Sequence, residues 1–355
     1  MPCVLGEYVM RQLRAGVRIT GLALGALLVG GLVIASPAAQ AADERPTAIV
    51  SLGDSAISGE GAGSYEAGTR GENGNWCHRS TNALVHKTAV ADRTINLACS
   101  GADSANVSLA DTTHYTEGSQ ARRLIGVAQQ YRVTTVIVQV GANDEPAFAD
   151  TLLDCIAEWF NPFSSGCRSS LQTEWPQRLA AMAPRVETAL ADVRSAMSQA
   201  GYANGSYNLV LTSYASPLTE HMDATLHGPQ GCPFKLADAG YGRTTAVPQF
   251  SDALRGVANR SGAKFLDFSR ATEGREACSG YGDSSTEWQN RITVDPWAWV
   301  NGGLDAIGIH MAQESFHPNA KGHAQLGRCV TEFLGSGTAA AKCLAGADGN
   351  LHAAQ

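Results

Sequence analysis

Five short apolar runs recur along the chain: Ala48–Leu52, Thr94–Leu97, Thr135–Val140, Asn208–Thr212 and Lys264–Phe268. They are rich in β-branched residues and lack strict alternation of apolar with polar, which predicts strands buried on both faces of a parallel sheet. Helical periodicity fills the gaps. Pro184 suits the first turn of a helix that runs to Ala200 and stops at Gly201, with Val186, Leu190, Val193 and Met197 on one face. A last helix starts near Pro318 and turns Leu326, Val330, Phe333 and Leu334 inward. Strands alternating with helices predict an α/β chain: a three-layer α/β/α sandwich around a parallel sheet of about five strands.

Three stretches break the alternation. Residues 60–78 are rich in glycine and polar residues, residues 144–170 hold Cys155 and Cys167, and residues 269–316 carry Trp288, Trp297 and Trp299. All three read as loops at the rim of a site, with room for short helices within them, and the tryptophans suit acyl chains or sugar rings. No internal repeat and no linker is visible, so a single domain is expected over residues 42–345, with a loose Ala/Gly-rich tail at 346–355. At the N-terminus Arg11, Arg14 and Arg18 precede an apolar run from Ile19 to Ala35, and Ala39-Gln40-Ala41 follows. That is the layout of a signal peptide, residues 1–41, cleaved after Ala41. The rival reading, a retained anchor, is disfavoured because the run falls just short of a span of about 20 residues. Met10 stands directly before the basic region, so it is a second candidate start.

Of the 355 residues 17% are charged and 44% hydrophobic, an ordinary globular balance. The formal net charge of −7 argues against nucleic acid as a partner. Removing the leader would remove Cys3 and leave eight cysteines, an even count that in an exported chain reads as four disulfides. Eight cysteines allow 105 pairings. Pairing neighbours gives Cys77–Cys99, Cys155–Cys167, Cys232–Cys278 and Cys329–Cys343. No C-x-x-C pair, and no metal spacing at His221 or His227, points to zinc. Gly59-Glu60-Gly61-Ala62-Gly63 lacks both the lysine of a phosphate loop and dinucleotide spacing. Neither a metal nor a cofactor is expected.

Candidate chemistry collects where strands end, the place where ligands bind in open α/β sheets. Ser55 closes Ile49-Val50-Ser51-Leu52-Gly53-Asp54-Ser55. Ser100-Gly101 follows the second strand, Gly141-Ala142-Asn143-Asp144 follows the third, and Ser315-Phe316-His317-Pro318-Asn319 opens the last helix. A serine hydroxyl needs a base to act as nucleophile, and His317 fits; His323, inside the helix, reads as structural. Asp54 reads as a brace for the turn. Singly, each block has a plain alternative: a capping serine, a turn glycine, a capping asparagine, a buried histidine.

Together the four blocks resemble the SGNH superfamily of GDSL esterases and lipases, over about Ile49 to Leu334. Gly-Glu-Gly-Ala-Gly and Asn75-Trp76-Cys77-His78-Arg79-Ser80 resemble secreted actinobacterial members. The resemblance implies a flavodoxin-like SGNH hydrolase fold. Ser55 would be nucleophile and His317 base. The Ser55 N–H, the Gly101 N–H and the Asn143 amide would form an oxyanion hole. Glu314, three residues before His317 where the family usually has Asp, would orient the imidazole, with the Ser315 carbonyl as the alternative. The expected function is a secreted, monomeric serine esterase without a stable membrane anchor, acting on lipid or phospholipid acyl esters. Carbohydrate O-acetyl ester hydrolysis is the rival within the class. A non-catalytic binding protein on the same scaffold is the rival outside it.

Overall fold

The computed structural model describes residues 43–355 apart from 224, 229–230, 281–282, 296–309 and 311. The expected signal peptide, Met10, Cys3, Trp297 and Trp299 therefore lie outside the described residues.

All five expected strands form, each within three residues of its expected ends: β1 (Thr47–Gly53), β2 (Arg93–Asn96), β5 (Arg132–Gln139), β6 (Asn208–Thr212) and β7 (Lys264–Asp267). Strands β3 (Thr113–His114) and β4 (Glu117–Gly118) make a small separate hairpin. Two further strands, β8 (Ala340–Ala345) and β9 (Leu351–Ala354), extend the main sheet, whose order among the described residues is β2-β1-β5-β6-β7-β8-β9. Every neighbouring pair is parallel except β8–β9. The tail expected to be loose is thus an ordered sheet edge. Leu351 is fully buried and the Leu351 N–H donates to Gln325 Oε1 at 2.9 Å.

Because the strands are buried on both faces, successive residues serve opposite layers. Val50, Leu52, Val136, Val138, Leu209 and Leu211 face one apolar core. Helices α3 (Gln120–Gln130), α5 (Arg168–Gln199) and α7 (Val247–Ser261) cover it through Leu124, Val186, Val193 and Leu254. Ile49, Ile137, Val210 and Leu266 face the other core, filled by Leu326, Val330 and Phe333 of α8 (Ala320–Ser336). This is the expected α/β/α sandwich with a longer sheet.

Two expectations about helices are corrected. Helix α5 starts at Arg168 rather than at Pro184 and passes through Pro176 and Pro184. A proline inside a helix costs about 3 kcal/mol, but Trp175, Leu179 and Met182 are buried ahead of Pro184 and hold the early turns in place. Residues 144–170, expected as rim loop with short helices only, contain the 13-residue α4 (Phe148–Phe160). The expected disulfide pairs all form, Cys77–Cys99, Cys155–Cys167, Cys232–Cys278 and Cys329–Cys343. The last ties α8 to β8.

Candidate active site

Gly53 ends β1 with φ +139, and a Cβ there would lie 1.8 Å from the Gln139 carbonyl oxygen, so only glycine fits. The chain then turns at once into the short helix α1 (Ser55–Ser58). Asp54 caps that helix, accepting the Ala56 N–H at 3.1 Å, while its own N–H donates to the Gln139 carbonyl at 3.0 Å. The Tyr214 hydroxyl donates to its other carboxylate oxygen. Asp54 is fully buried, and burial lifts its pKa to about 7 despite the Tyr214 bond. It braces the turn, as its position suggested, and Ser55 is left standing at the strand end.

His317 meets it there. Its Nε2 lies 2.7 Å from Ser55 Oγ, and its Nδ1 lies 3.1 Å from the Ser315 carbonyl oxygen. Between the two, Phe316 adopts left-handed backbone (φ 59), uncommon for a bulky residue. That reversal lets the Ser315 carbonyl face the imidazole two residues on. Asn290, which carried no sequence signal, pins this loop: its N–H donates to the His317 carbonyl at 2.9 Å, its carbonyl accepts the Phe316 N–H at 3.1 Å, and its side chain donates to the Gly61 carbonyl at 2.9 Å. Gly61 is required at the crossing, because a Cβ there would lie 2.4 Å from Asn290 Nδ2. Burial lowers the His317 pKa, opposed by the charge of Glu60 and by the Ser315 carbonyl. A neutral imidazole with Nδ1–H held by a carbonyl presents a free Nε2 lone pair to the serine hydroxyl.

Glu314 is not brought to the imidazole. Its Oε1 accepts the Tyr65 hydroxyl at 2.8 Å, and the Ser315 carbonyl occupies the position expected for it. Three residues upstream on this turn, the longer Glu side chain points away toward Tyr65. His323 is structural: fully buried, it accepts the Leu84 N–H at 3.1 Å through Nδ1, and burial pushes its pKa down to about 3.

Gly101 and Asn143 follow β2 and β5, the two neighbours of β1 in the sheet, so three adjacent strand ends converge on Ser55. The order reverses at β1, the usual place for a ligand crevice. Gly101 has φ +79. Asn143 Nδ2 donates to the Ala102 carbonyl at 3.0 Å, which fixes the amide beside Gly101 and leaves its second N–H. The next residue, Asp144, accepts from the Ser104 N–H and hydroxyl at 3.2 and 2.8 Å.

A polar cluster absent from the sequence expectations lies beside His317. Glu60 and His78 are fully buried and meet through Oε1 and Nδ1 at 2.8 Å. Gln313 Nε2 donates to Glu60 Oε2 at 2.8 Å and to Ser100 Oγ at 2.7 Å, bridging the Glu60 turn to the Gly101 turn. Burial works against charge on Glu60, but His78 more than offsets it and the Glu60 pKa is lowered; burial likewise opposes, and Glu60 outweighs it in raising, that of His78. Both residues sit in the stretches quoted for the family resemblance, yet no spacing rule marks them as partners. Donor atoms of Glu60, His78 and Glu314 lie within 4.8 Å of one another. A cation would have to draw them inward and displace the Glu60–His78 bond, so the set fits proton-bearing hydrogen bonds better.

At the rim, Trp288 departs from expectation. It is 7% exposed and packs in the α8 core rather than facing a site. His227 pairs with Trp159 Nε1 at 3.0 Å, and His221 lies 3.4 Å from Glu220.

Known proteins share the family and the fold. Residues 51–325 match the model of the GDSL-like lipase/acylhydrolase family. Lipase 2 of Streptomyces coelicolor is 25% identical over 333 residues, covering 91% of this chain and 98% of the relative. Lipase 1 of the same organism is 28% identical over 315 residues, covering 85% and 91%. Among solved structures, phospholipase A1 from Streptomyces albidoflavus superposes with a TM-score of 0.51 at 21% identity, over 82% of this chain and 99% of that one, which shows a shared fold. The chain belongs to the GDSL-like lipase/acylhydrolase family and is a carboxylic ester hydrolase.

Proposed function

We propose that the protein is a secreted hydrolase of lipid acyl esters that works through a covalent acyl-enzyme, with Ser55 and His317 acting as a dyad. The observation that carries this reading is the 2.7 Å approach of His317 Nε2 to Ser55 Oγ at a strand end. His317 takes the hydroxyl proton as Ser55 attacks the ester carbonyl. The Ser315 carbonyl holds the imidazole in the productive tautomer and takes the hydrogen bond of the imidazolium that forms. The N–H groups of Ser55 and Gly101 and the Asn143 amide receive the oxyanion; such donors are each worth about 2.7–4 kcal/mol of barrier. His317 then protonates the leaving alcohol, and water repeats the sequence on the acyl-enzyme.

Lipid esters are favoured because both Streptomyces coelicolor relatives are named lipases. Secretion is favoured by four disulfides, which persist in oxidising compartments. No helix among the described residues is long and apolar enough to cross a membrane. The test combines a fluorophosphonate probe with an ester panel running from acetylated sugar to long-acyl glyceride and phospholipid. Labelling at Ser55, lost in Ser55→Ala together with at least about a 10³-fold drop in kcat, is expected. Labelling elsewhere, or activity near wild type in Ser55→Ala, overturns the dyad. Preference for acetylated sugar overturns the lipid assignment alone.

A further inference from the structure

The peptide that joins Ser100 to Gly101 is held through its carbonyl alone. Its neighbours on either side are pinned by main-chain bonds: the Ser100 N–H donates to the Cys77 carbonyl at 3.0 Å, and the Ala102 N–H donates to the Cys99 carbonyl at 3.1 Å. Between them, the Gly101 N–H meets no acceptor among the described residues. The Ser100 carbonyl faces His114 Nε2 at 2.8 Å. A carbonyl can only accept, so Nε2 carries the imidazole proton. Gly101 sits at φ +79 and does not restrain the peptide by itself, because glycine moves readily between positive and negative φ. The peptide is planar and trans, so its C=O and N–H point in opposite directions. Pinning the carbonyl on His114 therefore aims the Gly101 N–H away from His114. A bond accepted at the carbonyl also polarises the amide and strengthens that N–H as a donor.

The β3–β4 hairpin, which stands apart from the main sheet, sets His114 in place. Two strands of two residues are not stable alone, and Glu117 anchors them. Glu117 is paired with His114 in the hairpin register and accepts from Arg79 Nη1 at 2.7 Å, from Asn75 Nδ2 at 2.9 Å and from Arg123. Tyr115, in the turn, has φ 51, and left-handed backbone at a bulky residue persists only where its surroundings fix it. Here the ring packs against Cys77, Cys99 and Ala102 and lies 4.2 Å from the His114 ring. A Cβ on Gly101 would stand 3.3 Å from both His114 Nε2 and the Tyr115 hydroxyl oxygen. The hairpin thus closes over the Gly101 turn, and Gly101 leaves it the room to do so.

We propose that His114 is a positioning residue for ester hydrolysis, holding the Ser100–Gly101 peptide so that the Gly101 N–H meets the oxyanion. The proposal rests on the oxyanion reading above and names the side chain that aims one of its donors. Such a donor acts when it lies about 2.7–3.1 Å from the position the oxyanion takes, and a misplacement of about 1 Å can cost about 10²-fold in rate. His114 keeps its Nε2–H throughout and exchanges no proton with the substrate.

The test compares wild type with His114→Phe, which keeps a ring and removes the donor, and with His114→Gln, whose side-chain amide restores one. On p-nitrophenyl acetate, His114→Phe should lower kcat by about tenfold or more. KM should stay within about twofold, because the donor acts on the transition state. Inhibition by phenylboronic acid, which forms a tetrahedral adduct on serine, should weaken by a similar factor while the urea midpoint stays at the wild-type value. His114→Gln should return kcat to within about threefold of wild type. Asn143→Ala probes the underlying reading separately and should cost about 10²–10³ in kcat. Near-wild-type kcat in Asn143→Ala strikes at the oxyanion reading itself. Impaired Asn143→Ala beside unimpaired His114→Phe overturns the positioning role alone. Equal losses in His114→Phe and His114→Gln also overturn it, since the ring and not the donor would then matter. So does a loss confined to KM, which makes His114 a substrate contact. If His114→Phe does not fold, His114→Ala carries the same expectations without the added bulk.

Discussion

His317 stands between two walls of opposite character. On one side Glu60, His78, Tyr65, Gln313 and Ser100 are linked by hydrogen bonds, directly or through Glu314, with the Glu60 and His78 side chains at zero exposure. On the other, Phe316, Phe234 and Phe148 lead into unfilled apolar space. The polar wall has almost no slack: Glu60 accepts from His78 and Gln313, and moving any one of these leaves a buried donor or acceptor alone. The apolar wall has slack by construction, since dispersion and area burial are non-directional. The difference separates two tasks. Directional contacts hold the imidazole's electrostatic surroundings constant, while non-directional ones tolerate rearrangement of the side chains behind it.

The largest effect expected from breaking this contrast lies in the polar wall. Glu60→Ala leaves the buried His78 Nδ1 without its partner, and breaking a buried ion pair typically costs about 3–5 kcal/mol. Urea unfolding at neutral pH should show a loss of that size; a loss below about 1 kcal/mol would mean that water enters and replaces the carboxylate. The matching change in the apolar wall is milder. Cys155→Ala/Cys167→Ala opens a loop of 12 residues between α4 and α5, which the chain-entropy model places at about 3 kcal/mol. It should lower stability by about that much while dissolved short esters are still hydrolysed, because the cut lies beyond the wall from Ser55. Loss of acetate hydrolysis in a folded protein would show that the two walls are mechanically coupled.

The electrostatic part of the contrast appears in pH dependence. Only neutral His317 can take the serine proton, and burial moves its pKa below the reference of about 6.5. The acid limb of kcat/KM should therefore have its midpoint below pH ~6.5, with full activity retained at neutral pH. The Glu60 charge pulls the His317 value up and His78 pulls it down. Glu60→Gln removes the larger of these two charge effects, so the acid limb should move to lower pH still. A midpoint that moves upward, or stays fixed, would show that the Glu60 charge does not reach the imidazole.

Much of this was legible in the chain because strand ends carry local signatures. Gly53-Asp54-Ser55, Ser100-Gly101 and Gly141-Ala142-Asn143 each follow a β-branched run, and parallel pairing of β2, β1 and β5 brings their C-terminal ends together. The edge strands β8 and β9 were not legible, since Ala340–Ala345 and Leu351–Ala354 have little β-branched character and owe their order to pairing and to Cys329–Cys343. Nor could the Glu60–His78–Gln313 cluster be read, because it joins residues up to 253 positions apart and depends on side-chain reach.

The smallest predicted effect concerns the residue whose expected role the geometry reverses. Glu314 stands at the family's usual acid spacing, yet its carboxylate receives the Tyr65 hydroxyl and belongs to the polar wall. Burial raises its pKa, opposed by the Tyr65 bond, so a neutral amide departs less from its native state than it would at a charged triad acid. Glu314→Gln keeps an acceptor for Tyr65, leaves the Ser315 carbonyl against His317 Nδ1, and should lower kcat by less than about tenfold, within about 1.4 kcal/mol of barrier. Removing the acid of a true serine triad instead costs about 10⁴ in kcat. A loss of that larger size, in a variant with unchanged urea midpoint, would mean that the carboxylate swings from Tyr65 to His317 during turnover. The Ser315 carbonyl would then hold the imidazole only between reaction cycles.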